Sequence, residues 1–250
     1  MSFTTNPHHA HGEMKRLAIV PAFNESSSIG GVISEIHDHQ PGFEVAVVDD
    51  GSRDQTATVA GKAGATVLPL PFNLGIGGAV QAGFLYACEQ GFDIAVQVDG
   101  DGQHDPREIA TLLEPLLAGD ADVVVGSRYL DGGSFDHAAH RRFLIGTFAR
   151  IVTAATGKRF TDTSSSFRAY NRKAIAICAE DYPQGFLESV ESLVVLSRYG
   201  MRIVEVPVTI RQRSSGTTSL SLGRTMAYTI KVSIAIAMGI MRRAPAAKGE

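Results

Sequence analysis

The chain has 250 residues, 44% hydrophobic and 20% charged, with a formal net charge of −3. That length suits one large domain, or one domain with an elaborated second half. The balance is ordinary for a globular protein, and a slightly acidic chain gives no support to a nucleic-acid partner.

Residues 1–13 are polar and show no signal-peptide pattern. His8, His9 and His11 fall there, but a disordered leader over 1–14 is a better reading than a metal tract. Cys88 and Cys178 are the only cysteines, and both lie in apolar helical surroundings. Buried, reduced thiols and a cytoplasmic setting follow.

Leu17-Ala18-Ile19-Val20 predicts a buried first strand that breaks at Pro21 into Ala22-Phe23-Asn24-Glu25. Ser26, Ser27 or Ser28 caps a helix running to about His39. Glu44 to Val48 is a second strand ending in Asp49-Asp50-Gly51-Ser52. A helix over 54–63 and a short strand at 66–68 follow, then a loop over 69–78 and a helix over 79–90. Ile94 to Val98 is a fourth strand, and Pro106 opens the next helix, where its missing N–H does no harm. Asp122 to Arg128 supplies a fifth strand.

Beyond it come a flexible loop at 131–134, a helix opened by Arg141-Arg142 and running to about Ala155, and a polar stretch over 162–168 that turns extended. Helices over 172–179 and 187–199 precede a strand over 202–210, which Pro207 confines to an edge. A basic, Gly/Ser/Thr-rich loop over 211–219 leads to a last helix over 222–241. Its uncharged run, 232–241, falls short of the roughly 20 apolar residues a bilayer span takes. That helix suits packing in the core or against a second copy of the chain, or lying on a membrane surface with Arg242, Arg243 and Lys248 near the headgroups.

The strands are apolar throughout rather than alternating, and they alternate with helices. That predicts an α/β fold with a mainly parallel sheet covered on both faces. Ligands of such sheets bind at the carboxyl ends of the strands. Asn24, Asp50, Asp99 and Arg128 all fall there.

Asp99-Gly100-Asp101-Gly102-Gln103-His104 carries the sharpest chemistry. Alternation along an extended segment would put both carboxylates on one side. They repel unless a positive charge sits between them. A hard divalent cation holding a diphosphate is the natural occupant. A polar turn before a helix cap is the bland alternative.

Pro21-Ala22-Phe23-Asn24-Glu25, Asp49-Asp50-Gly51-Ser52, Asp99-Gly100-Asp101-Gly102-Gln103-His104 and Val125-Gly126-Ser127-Arg128-Tyr129 occur in that order. Together they resemble the family 2 inverting glycosyltransferases of GT-A fold, above all the dolichol- or polyprenyl-phosphate sugar synthases and their bacterial relatives. The likeness covers 16 to about 220. It implies a single catalytic domain over 15–220, with a nucleotide-binding half (15–128) and an acceptor half (129–220), followed by a C-terminal helix and tail over 221–250.

The resemblance also implies roles. Pro21, Ala22, Asn24 and Glu25 should line the nucleotide pocket, and Asp50 should contact the base or ribose. Asp99, Asp101 and Gln103 should hold Mg²⁺ or Mn²⁺, with Asp101 the principal ligand. Arg128, Arg211 and Arg213 resemble the phosphate-binding arginines. Transfer to a hydroxyl would need a carboxylate base: either Glu191, the catalytic residue assigned here, or Glu188 could serve, although Glu188 also reads as a surface acid of the same helix, and Asp162 is a third candidate. The partners implied are a nucleotide sugar and a lipid-linked acceptor at the inner face of a membrane. Self-association would run through the C-terminal helix. Two departures touch acceptor choice: Ser219 stands where the family's basic loop usually ends in lysine, and Ile76 replaces a frequent lysine.

Other classes fit less well. The Gly75-Ile76-Gly77-Gly78 cluster has Val80 at the last position of a dinucleotide fingerprint and does not follow the first strand. A nucleotidyltransferase would carry a glycine-rich basic loop at Ala22 to Glu25. A nucleotide-sugar-binding subunit without turnover would have no use for Asp99, Asp101 and Arg128 together.

Overall fold

The computed structural model describes residues 14–130, 149–150, 152–185 and 188–211. The leader, the 131–134 loop, Arg141-Arg142 with most of their helix, Arg213 and the 222–241 helix lie outside these residues.

Seven strands form one sheet: β1 (Arg16–Ala22), β2 (Phe43–Asp49), β3 (Thr66–Pro69), β4 (Ile94–Gln97), β5 (Val123–Ser127), β6 (Arg168–Asn171) and β7 (Ile203–Pro207), in the order β3-β2-β1-β4-β6-β5-β7. All pairings are parallel except those of β6, which runs against both β4 and β5. β4 and β5 therefore point the same way, and β6 enters the sheet from the edge where they leave it. β7 pairs only with β5, at the edge, as Pro207 requires.

The helices are α1 (Ile29–His39), α2 (Thr56–Lys62), α3 (Ile76–Glu89), α4 (Ile109–Leu117), α5 (Arg172–Glu180) and α6 (Glu188–Arg198). A 3₁₀ turn at Pro106–Glu108 precedes α4. Two cores explain the unbroken apolar strands. Leu17 and Ile19 of β1 join Phe84 of α3, Ile175 of α5 and Leu193 of α6 on one face. Ala18 and Val20 join Ile33 of α1 and Leu112 of α4 on the other. Successive strand residues alternate in direction, so burial of both faces removes polar positions from the pattern.

Three expectations need correction. The α3 helix starts at Ile76, inside the stretch read as loop, because Gly77 and Gly78 sit in its first turn for close packing rather than for chain reversal. A Cβ on Gly77 would stand 2.3 Å from the Pro183 carbonyl oxygen. Ser28 occupies the N-cap of α1, yet its hydroxyl donates to the Gly100 and Glu25 carbonyls and the Glu25 carboxylate instead of capping. Cys88 is exposed while Cys178 is buried. On α3 Ala87 faces the core, and the next residue turns about 100° away, toward solvent.

Gly77→Ala should gain about 1 kcal/mol of helix propensity yet lose more to overpacking, about 1–3 kcal/mol. Thermal unfolding should show a lower midpoint; an equal or higher one would contradict the close approach of α3 to the Pro183 segment.

Candidate active site

A cavity of about 550 Å³ opens at the carboxyl edge of the sheet, within the size range of small-molecule sites. It is lined by Pro21 and Ala22 at the end of β1, Phe23 and Glu25 after it, Asp50 after β2, Gly75 just before α3, Ile76 and Ala79 of α3, Asp99 to Asp101 after β4, Ser166 before β6, and Glu188 and Ser189 of α6.

The two aspartates do not lie in extended chain. The β4 strand ends at Gln97, and residues 100–102 form a turn and bend, with Gly102 at φ 78°. A turn, not strand alternation, brings both carboxylates to one wall. The turn is tied on each side. The Gly100 carbonyl accepts from Ser28, Asp101 accepts from the Gln103 N–H at 3.0 Å, and Asp99 accepts from the Ser166 hydroxyl at 2.8 Å. His104 closes it from beneath. Its Nδ1 accepts from the Asp99 N–H at 3.0 Å, so the ring proton sits on Nε2, 3.6 Å from the Asp99 carboxylate. The imidazole is buried and stacked on Phe167 with centroids 4.6 Å apart. Burial holds it below its ordinary pKa, against the pull of Asp99 and Asp101. Neutral His104 thus works as a hydrogen-bond acceptor in the turn.

Asp50 lines the cavity, but its carboxylate accepts from the Leu74 and Gly75 N–H groups at 2.6 and 3.0 Å, clasping the loop before α3. Asn24 adopts φ 55°, a left-handed conformation that asparagine tolerates. Its N–H donates to Ser52 and its Oδ1 accepts from the Arg53 N–H, locking the β1 and β2 loops together. It is not among the described residues lining the cavity, whereas Glu25 is.

The arginines are spoken for. Arg128 forms a fork on Asp162, at 2.6 and 2.8 Å, and donates to Ser164. Burial would raise the fully buried Asp162 carboxyl, but the hydrogen bonds and charge of Arg128 prevail and hold it below its ordinary value. Asp162 is therefore the arginine's partner and does not line the cavity. Arg211 pairs with Glu35 at 2.6 Å and Asp105 at 3.0 Å, away from the lining. Its backbone N–H donates to the Gln103 carbonyl, and the Gln103 amide donates back to the Arg211 carbonyl. Both residues thus join the end of the described chain to the aspartate turn.

The glutamates exchange places relative to expectation. Glu188 is 3% exposed and lines the cavity; Glu191, half-buried, does not. Burial raises both carboxyls, in Glu188 against the lowering effects of a Ser189 hydrogen bond and the Arg168 charge. Ser166 is the residue that sequence reasoning passed over, and Glu188 is the glutamate it ranked second. The polar run before β6 was the only signal for the first; for the second, two acids one turn apart gave no means of choosing.

An α/β sheet of this order, with an acidic turn facing a cavity at its carboxyl edge, has the GT-A glycosyltransferase architecture. A solved glucosyl-3-phosphoglycerate synthase from Mycobacterium tuberculosis, in complex with Mn²⁺, UDP and phosphoglyceric acid, superposes with a TM-score of 0.69 at 24% identity, over 94% of this chain and 80% of that one. The sequence profile described as Glycosyl transferase family 2 matches residues 17–177. The undecaprenyl-phosphate mannosyltransferase of Micrococcus luteus is 34% identical over 84% of this chain and 89% of its own. The polyprenol monophosphomannose synthase of Mycolicibacterium smegmatis is 30% identical over 83% and 81%. The chain belongs to glycosyl transferase family 2 and is a glycosyltransferase.

Asp162→Asn should leave Arg128 without its counter-charge and destabilise the fold by about 3 kcal/mol. An Asp whose pKa is depressed on folding contributes stability above its unfolded value, about 3.9, and loses it as pH falls through the folded value. Unfolding titrations from pH 6 to 2 should show a shallower acid loss in the variant. Parallel pH profiles would contradict this role.

Proposed function

We propose that this chain transfers a sugar, with inversion, from a nucleoside-diphosphate sugar to a polyprenyl phosphate at the cytoplasmic face of a membrane, using Mg²⁺ or Mn²⁺. The observation that carries the reading is the single cavity in which Asp99 and Asp101 face Pro21, Ala22 and Asp50. The named activities of the Micrococcus and Mycolicibacterium relatives support the acceptor. The UDP and Mn²⁺ held by the structural neighbour accord with the donor and metal. Among the described residues no helix is long and apolar enough to cross a membrane.

Asp99 and Asp101 fit a hard cation that completes its shell with phosphate oxygens and water. The described residues offer no group of three or more His, Cys, Asp or Glu side chains that would enclose a metal by themselves. Gln103 does not line the cavity, and its amide nitrogen donates to the Arg211 carbonyl at 3.4 Å. Bound between the aspartates, the cation would offset the charge that develops on the leaving diphosphate. The chain's own residues orient the rest. Ser166 and His104 fix Asp99, and Asp50 shapes the wall before α3. A phosphate acceptor is already an anion and needs no base. Glu188 lines the cavity, and under this reading it is not called on as a base.

The test is transfer of labelled sugar from UDP- and GDP-sugars to polyprenyl phosphate in vesicles. Product should form with Mg²⁺ or Mn²⁺ and vanish with chelator, and Asp101→Ala should lower turnover at least about a hundredfold. Full activity in chelator or in that variant would overturn the metal assignment. Glu188→Gln should retain more than about a tenth of the rate, because no proton has to be taken from the acceptor. A general base would instead cost about 10²–10⁴-fold, and a loss of that size would point to a hydroxyl acceptor.

A further inference from the structure

Arg168 is 1% exposed, at the start of β6, where it pairs in register with Gln97 of β4 and Val125 of β5. All its hydrogen bonds go to neutral acceptors. Nε donates to the Ser165 carbonyl at 2.8 Å, and Nη1 to the Ser192 hydroxyl at 2.8 Å. Nη2 donates to the Ser189 carbonyl at 2.6 Å and, more weakly, to the Thr163 carbonyl at 3.4 Å. Burying a guanidinium is costly, and an apolar side chain of similar volume fills such a space at less expense. What the charge provides is a rigid fork of donors, and the fork spans two segments. One is the loop whose next residue, Ser166, holds Asp99. The other is the first turn of α6, where Glu188 enters the cavity.

We infer that Arg168 is a positioning residue, joining the loop that fixes Asp99 to the helix turn that presents Glu188, so that both walls of the cavity move as one. The inference rests on the proposed reaction for the role of Glu188, and only there. Arg168 does not line the cavity, and four of its five guanidinium N–H donors reach protein acceptors. Ser192 is the residue through which it can be tested gently, since Ser192 does not line the cavity and its hydroxyl is one of the four acceptors.

The experiment measures nucleoside diphosphate release, with and without polyprenyl phosphate, for the full chain and for Ser192→Ala, Glu188→Ala and the double variant, with thermal midpoints recorded. Release without acceptor keeps the cycle readable if polyprenyl phosphate proves not to be the acceptor, an outcome that counts against the proposed function alone. Ser192→Ala should lower kcat about three- to tenfold, as loss of one well-placed hydrogen bond would, with the donor KM changed less than twofold. In the Glu188→Ala background the same change should alter kcat less than twofold. Arg168→Lys, which keeps the charge but not the fork, should lower kcat further, and Arg168→Lys with Ser192→Ala should be no worse than Arg168→Lys alone. A Ser192→Ala variant with normal kcat, or one whose loss multiplies fully with that of Glu188→Ala, would overturn the inference and leave Arg168 a support of the fold only.

Discussion

Two like charges on one turn are the constraint on which the site depends. Asp99 and Asp101 share a cavity wall, and nothing in elementary electrostatics favours that arrangement without a cation or a donor to oppose it. The fold answers with donors and struts. Ser166 and the His104 ring hold Asp99, the Gln103 N–H holds Asp101, and Ser28 grips the carbonyl between them. Gln103 and His104 belong to the turn itself, while Ser28 and Ser166 reach it from distant parts of the chain. The aspartate turn is therefore where α1, the loop before β6 and the end of the described chain meet.

The sheet makes that meeting possible. Parallel β1, β2 and β4 deliver their ends to one edge, while antiparallel β6 begins there and brings Ser166 with it. Polar side chains elsewhere along the edge serve mainly to fasten loops. Asp50 clasps the start of α3, Asn24 ties two loops together, and Arg128 with Asp162 joins the end of β5 to the segment leading into β6. Under the proposed reaction the site binds a multiply charged donor, and dipoles fixed beforehand serve that better than water, which must rearrange. Much of the chemistry at this edge is spent on that fixing.

The architecture was legible because burial of both faces writes itself into the strands as unbroken apolar runs, and strand ends then name the edge where polar residues matter. The aspartate pair was legible for the same reason, although the turn that aligns them was mistaken for extended chain. Other features depend on contacts between distant segments. Gly77 and Gly78 look like loop until the Pro183 segment is seen pressing on α3. Glu188 and Glu191 stand one turn apart on α6, and only the docking of that helix decides that the first enters the cavity. Arg211 resembles a phosphate-binding arginine in sequence, yet Glu35, 176 positions away, holds it.

The most direct measurement is calorimetric titration of UDP and GDP into the full chain with Mg²⁺, with Mn²⁺ and with chelator. The account expects saturable binding of one nucleotide that depends on the divalent cation and is lost in Asp101→Ala. Binding that is indifferent to chelator, or that persists in that variant, would contradict the claim that the paired aspartates exist to hold a metal-bound diphosphate.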